Sequence, residues 1–312
     1  MSDNIDFNEL RKRAVSQPLV VDKYTADPSA HVFDGKIYIY PSHDIDAGIP
    51  FNDNGDHFGM RDYHAYTMES PDDKLATDLG KILDIDEVPW AKRQMWAPDI
   101  ARKGDKYYFY FPAKDKDDIF KIGVAIGDSP SGPFTPDPKP IEGSYSIDPA
   151  VFNDNGKYYM YFGGLWGGQL QKYRNNIYSN GNELRSDDDF AFGPLVAELS
   201  DDMRGFSTSP EEIIIQDENG NPLLAGDNSR RYFEGPWVHK YNEKYYLSYS
   251  TGDTHFICYA IGDTPKGPFK YAGKILDPVV GWTTQHSRCE FHGSWFLFYH
   301  DSSLSEGVTH LR

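Results

Sequence analysis

The sequence predicts an all-β fold, a five-bladed β-propeller, and three observations carry that prediction. Short aromatic and β-branched runs recur between clusters of Gly, Pro, Asn and Asp, the pattern of strands joined by turns, while helical periodicity is scarce. One unit returns five times: a polar or acidic opening, an apolar strand, a turn on Asp or Asn and Gly, then an aromatic strand. In the second strand of each unit both alternating faces are apolar, as in Ile37 and Ile39 against Tyr38 and Tyr40, so each sheet must be covered on both sides. Sheets packed face to face around an axis meet that demand. Five units in 312 residues then make five blades in one domain, with residues 1–19 as an N-terminal extension. A two-sheet sandwich is the alternative; it accounts for the strands but not for five equivalent openings.

The first unit is DPSAHVFDGKIYIY, Asp27 to Tyr40, and the second is WAPDIARKGDKYYFYF, Trp96 to Phe111. The third is DPAVFNDNGKYYMYF, Asp148 to Phe162. The fourth, EGPWVHKYNEKYYLSYS, spans Glu234 to Ser250, and the fifth, HSRCEFHGSWFLFYH, spans His286 to His300. Openings about 50 to 85 residues apart leave room for four strands and their loops. The string AIGDSPSGPF, Ala125 to Phe134, returns as AIGDTPKGPF, Ala260 to Phe269, which strengthens the repeat.

Charge and composition remove several functions. With 31 Lys+Arg against 48 Asp+Glu the formal charge is −17, which excludes a binder of nucleic-acid phosphates. No apolar run approaches the ~20 residues of a membrane helix, so no membrane partner is expected. Met1 to Leu10 is acidic and polar where a secretory signal needs a basic start and an apolar stretch, so the cytoplasm is the expected compartment unless a leader was removed. Cys258 and Cys289 are too few for a disulfide framework and read as buried thiols.

The repeat leads to chemistry. Asp27, Asp148 and Glu234 stand nine, nine and ten residues before the Lys that follows each hairpin turn, so three blades bring a carboxylate to one end of the central channel. His286 holds the corresponding place in the fifth unit. Pro28 and Pro149 are expected to hold the acids before them extended, with Pro236 stiffening the opening after Glu234. Clustered carboxylates must separate in pKa, one staying charged and another kept protonated by burial and neighbouring charge. A base and an acid follow, the pair that glycoside hydrolysis uses. A gap of ~6.5–9.5 Å gives inversion and ~5–5.5 Å retention, and a mouth spanned from different blades favours the wider gap.

The chain resembles glycoside hydrolase family 43, in its β-xylosidase / α-L-arabinofuranosidase group, from about Val20 to Arg312. The marks are ADPSAHVFDGKIYIY, RDYHAY (Arg61 to Tyr66), MWAPD (Met95 to Asp99), GSYSIDPAVF (Gly143 to Phe152), GGLWGGQL (Gly163 to Leu170), EGPWVHK (Glu234 to Lys240) and VVGWTTQHS (Val279 to Ser287). The resemblance implies an inverting enzyme that releases one pentose from the non-reducing end of β-1,4-xylo-oligosaccharides and also acts on α-L-arabinofuranosides. It implies Asp27 as general base, Glu234 as general acid, and Asp148 as the third carboxylate, whose charge raises the pKa of the acid. Trp96 is implied as the aromatic wall of the sugar subsite, and Arg312, in the closing THLR, as the arginine aimed at the sugar hydroxyls and acids. His286 is implied to face a hydrated Ca²⁺ at the axis, the alternative being a charged histidine with no metal.

The sequence departs from the family's pattern at Gln285, where a second His is usual, and at Arg288, which reads as a loop residue replacing an aliphatic one. The family's chain usually continues with another strand, so closure of the fifth blade is expected to be incomplete here. Glu211 and Glu212 read as a strand start before Ile213 to Ile215, and DNGDHFG, Asp53 to Gly59, as an acidic loop without the EF-hand pattern. An arabinan-degrading relative and a non-catalytic glycan-binding propeller are the rival functions. A homo-oligomer would arise if a neighbouring copy completed the mouth loops.

Overall fold

The computed structural model describes residues 6–181, 184–281 and 285–312. A short helix α1 (Phe7–Arg13) opens it, capped by the Asp6 carboxylate accepting from the Asn8 and Glu9 N–H groups, with three basic residues in its last turn. The first sheet runs β1 (Thr25–Phe33), β2 (Lys36–His43), β3 (Asp62–Met68), β4 (Thr77–Asp84) in simple antiparallel order. The second holds β5 (Ala91–Arg93), β6 (Asp99–Lys103), β7 (Lys106–Asp115), β8 (Phe120–Gly127) and β9 (Thr135–Pro136), with β5 and β6 both paired to β7.

In the third sheet β10 (Ala150–Asp154) and β11 (Lys157–Phe162) are followed by an inserted hairpin, β12 (Tyr173–Arg174) and β13 (Ile177–Tyr178). The sheet then resumes with β14 (Leu195–Glu198) and β15 (Glu211–Glu212). The fourth sheet is β17 (Tyr232–Tyr241), β18 (Lys244–Thr251), β19 (Ile257–Gly262) and β20 (Phe269–Leu276), with the earlier β16 (Ile215–Gln216) added parallel to β20. The fifth is the pair β21 (His286–Phe291) and β22 (Ser294–Tyr299).

The inner strands β1, β6, β10, β17 and β21 each touch the next, and β21 returns to β1, so the sheets close around an axis as an all-β propeller. Where five blades are expected, four sheets have four or five strands and the fifth unit, among the described residues, forms two. The physical reason lies in DSSLSEGVTH, Asp301 to His310, a serine-rich run of turns that offers no alternating apolar face to a further strand.

The cores lie between sheets, as the two-sided apolar strands require. Tyr40, Tyr63 and Phe109 fill the space between sheets one and two. Tyr110, Met160 and Phe162 fill that between two and three, and Tyr161, Leu247 and Tyr249 that between three and four. Ile37, Ile39, Cys289 and Phe298 join sheets one and five. The tyrosine after the recurring Lys is explained by its reach to the preceding sheet: Tyr158 Oη donates to the Arg102 carbonyl (2.8 Å) and Tyr245 Oη to Asp154 (2.6 Å). The returning decapeptide has an equivalent role twice, since Tyr40 Oη donates to the Pro130 carbonyl and Tyr161 Oη to that of Pro265, each at 2.6 Å. Cys258 and Cys289 are buried free thiols, as expected. No helix among the described residues is long and apolar enough to cross a membrane.

Candidate active site

Asp27, Asp148, Glu234, Trp96 and Arg312 line one pocket at the end of the channel, about 500 Å³ counting its open mouth. All three carboxylates are buried. Backbone irregularity aims them. Ala26 pairs with Ser42 and Ser29 with Tyr40, so Asp27-Pro28 forms a bulge opposite a single residue of β2. In β17, Glu234 pairs with Ser250 and Trp237 with Ser248, which makes Gly235-Pro236 the matching bulge. Glu234 therefore sits one residue before the position of Asp27, which accounts for a count of ten where the others have nine.

The extended backbone expected before Pro28 and Pro149 is corrected: Asp27 has φ +52° and Asp148 +57°, and Gly235 in the same role has +63°. The left-handed conformation costs a non-glycine residue roughly 1–2 kcal/mol, and the bulge overrides the local preference set by proline.

The three carboxyls differ in their partners. Asp27 accepts from Ser42 Oγ at 2.6 Å and from Arg312 Nη1 at 3.3 Å, while its own N–H donates to His300 Nδ1 at 3.0 Å. Asp148 accepts from the Gly235 N–H at 3.0 Å. The Glu234 carboxyl has no hydrogen-bond donor among the described residues; burial pushes its pKa up to about 8, with the Asp27 charge adding to the rise and Arg312 opposing it. Asp148 is likewise held well above the carboxylate range, by burial first and then by Glu234 and Asp27. Burial and neighbouring charge, the two causes expected, both act on Glu234, but the charge is that of Asp27 and not, as expected, that of Asp148, which is itself raised.

Arg312 is buried and forks onto Asp44, with Nε to Oδ2 and Nη2 to Oδ1 both at 3.0 Å, and its own N–H donates to Asp44 Oδ2 at 2.7 Å. Its guanidinium lies 4.7 Å from the centre of the Phe58 ring. Trp96 is both wall and core: Nε1 donates to the Phe58 carbonyl at 2.9 Å, and Phe120 packs 4.7 Å away while the ring borders the pocket.

Sequence reasoning missed Ser42, Asp44, His300 and Phe58. One signal was available, because the second strands of units one and five both end in His-Asp, His43-Asp44 and His300-Asp301. The acidic loop also proves functional in position, since Asp53 and Gly55 line the pocket. The loop GGLWGGQL adds Leu165, Trp166, Gly167 and Gly168 to the lining, with Gly167 against the Asn54–Gly55 backbone, and is anchored by Ser146 Oγ bonding to the Gly164 carbonyl at 3.1 Å.

His286 lies apart from the pocket walls, buried on β21. Ser248 Oγ lies 2.6 Å from His286 Nε2 and 3.4 Å from the Trp237 carbonyl. Nδ1 is buried with no hydrogen-bond partner among the described residues. Burial, Arg288 and His239 lower the ring to about 3, so the charged histidine is disfavoured. An orphaned, neutral imidazole nitrogen fits an ion or its water, and with one protein donor it fits a hydrated ion.

Gln285 lines the pocket as its neighbour. Arg288, expected on a loop, is in β21 opposite Leu297 and faces a cleft with His239, Tyr246, Tyr259 and Trp295. Glu211 and Glu212 are a strand, β15, with Glu212 bridged twice by Arg185 at 3.0 Å.

Residues 17–311 match the model of glycosyl hydrolases family 43. The chain is 59% identical over 304 residues to a xylosidase/arabinosidase of Humicola insolens, covering 95% of this chain and 93% of that one. It is 57% identical over 295 residues to a xylosidase/arabinosidase of Bacteroides ovatus, covering 94% and 91%. A solved β-xylosidase/α-arabinofuranosidase from a compost microbial metagenome, in complex with xylotriose in a calcium-free form, superimposes with a TM-score of 0.94 at 63% identity, covering 96% of this chain and 92% of that one.

Proposed function

The chain belongs to glycosyl hydrolases family 43, and from that premise we propose an inverting exo-glycosidase that releases xylose from the non-reducing end of β-1,4-xylo-oligosaccharides and also cleaves α-L-arabinofuranosides. The observation that carries the residue roles is the unequal supply of donors: Asp27 is met by Ser42 and Arg312, while buried Glu234 has no donor among the described residues. Asp27 then takes a proton from water, which attacks the anomeric carbon. Glu234 gives its proton to the glycosidic oxygen as that bond breaks, and exchange with solvent afterwards reprotonates Glu234 and takes the proton from Asp27.

Asp148, bonded to the Gly235 N–H, stands beside Glu234 and offers an acceptor to the sugar. Trp96 supplies a flat apolar face, and Arg312 supplies donors fixed by Asp44. The two-stranded sheet β21–β22 is the fifth blade in this reading. A hydrated Ca²⁺ held through water at His286 would supply positive charge and ordered water at the axis.

p-Nitrophenyl β-D-xyloside and α-L-arabinofuranoside are both expected to be hydrolysed, and NMR at early times should show α-xylose forming first from the β-xyloside. Cleavage of neither substrate would overturn the reading, and β-xylose appearing first would overturn inversion. EDTA should lower the rate and Ca²⁺ restore it; an unchanged rate would remove the ion.

Gly55→Ala tests the aromatic wall. A Cβ there would lie 2.5 Å from the Trp96 ring, at a backbone φ of +68°. The expected result is a KM raised several-fold with a smaller change in kcat, because the wall moves while the carboxyls stay in place.

A further inference from the structure

On the face of the first sheet turned away from the pocket, His43, Asp62 and His64 come together. The ladder sets Ser42 opposite Tyr63, which puts His43 across from Asp62, and His64 lies two residues further along β3 on the same face. One ligand atom from each of the three lies within 4.8 Å of the others. The two imidazoles stand nearly perpendicular, 5.7 Å between centres.

Their outer contacts are those of a metal site. His64 Nδ1 bonds the Asp78 carboxylate at 3.0 and 3.1 Å, which leaves Nε2 as its lone-pair nitrogen. Asp78 is fixed in turn by Lys23 Nζ at 2.8 Å and by the Gly80 N–H at 2.7 Å. His43 Nδ1 lies 2.6 Å from Asp62 Oδ1, so these two atoms face one point and would hold an ion in place of their hydrogen bond. All three side chains are partly exposed, so an ion and its waters have access.

We propose that His43, Asp62 and His64 form a binding site for a divalent transition metal of the Zn²⁺ class. Two imidazoles and a carboxylate suit such an ion and not Ca²⁺, which prefers oxygen ligands. The site backs onto the pocket through alternate residues of the same strands: Ser42 and Asp44 beside His43 hold Asp27 and Arg312. Tyr63, between Asp62 and His64, donates to the Trp96 carbonyl at 2.6 Å. A bound ion therefore ties β2 to β3 behind the groups that position the pocket.

The test uses full-length protein stripped with EDTA and titrated with Zn²⁺ and Co²⁺. Wild type is expected to bind one transition metal per chain at this site, to show the visible Co²⁺ band of a site with nitrogen ligands, and to melt several degrees higher with Zn²⁺. His43→Ala and His64→Ala should lose the band and the thermal shift. Asp78→Asn should weaken binding roughly 10–100-fold, and His286→Ala should retain the band, separating this site from the axial ion. X-ray absorption of Zn²⁺-loaded wild type needs no variant to fold and should show two imidazoles. A single imidazole, or a band that survives both His43→Ala and His64→Ala, would overturn the site.

Discussion

Glu234→Gln is expected to lower kcat/KM on xylobiose by roughly 10²–10⁴-fold, the usual worth of a positioned general acid. The loss should shrink on p-nitrophenyl xyloside, whose leaving group needs little protonation. The wild-type alkaline limb should follow the proton on Glu234, falling through about pH 8, and should vanish in the variant. Stability follows the same proton. The folded protein holds this proton up to about pH 8, whereas an unfolded glutamate releases it near its ordinary 4.5. The native state thus binds more protons across that window, and stability falls as pH rises through it. Glu234→Gln removes the buried charge, so its melting temperature should exceed that of wild type at pH 8 and approach it at pH 4. A variant of full activity, or one less stable than wild type at pH 8, would remove Glu234 from the role.

Arg312→Ala is expected to be the most damaging change to stability at the site. It leaves Asp44 without its fork and Asp27 without one of its donors, all three groups being buried. Stranding one half of a buried ion pair costs about 3–5 kcal/mol, which in a chain of this size lowers the melting temperature by on the order of 10 °C. Arg312→Lys keeps the charge but cannot form the fork and should recover part of that loss. The double variant Arg312→Ala with Asp44→Asn, which removes the stranded charge, should melt above Arg312→Ala alone while remaining poorly active. Thermal unfolding of the three variants decides the matter; an unchanged melting temperature in Arg312→Ala would show that the fork carries no stability.

Much of this was legible because a propeller repeats. Asp27, Asp148 and Glu234 could be found by their distance to a recurring Lys, and Trp96 and Arg312 join them in the pocket. The groups that serve them were harder to see. Asp44 meets an arginine 268 positions away, and His300 meets an aspartate 273 positions away, separations that carry no local pattern. His43, Asp62 and His64 show the same limit, since each strand read alone carries at most two of the three.

By itself the sequence determined the all-β class, the hairpin unit with its aromatic strands, the absence of a disulfide framework and the identity of the three acids. These follow from alternation, turn chemistry and residue type, which act within a few positions along the chain. Tertiary structure alone decided that Asp27 and Asp148 adopt a left-handed backbone against the preference set by Pro28 and Pro149, that the fifth sheet has two strands, and that Glu234 is the acid left without a donor. Each is an outcome of closing the ring. Closure presses five strand openings into one small volume, where burial and the nearest charge, rather than local propensity, set conformation and protonation.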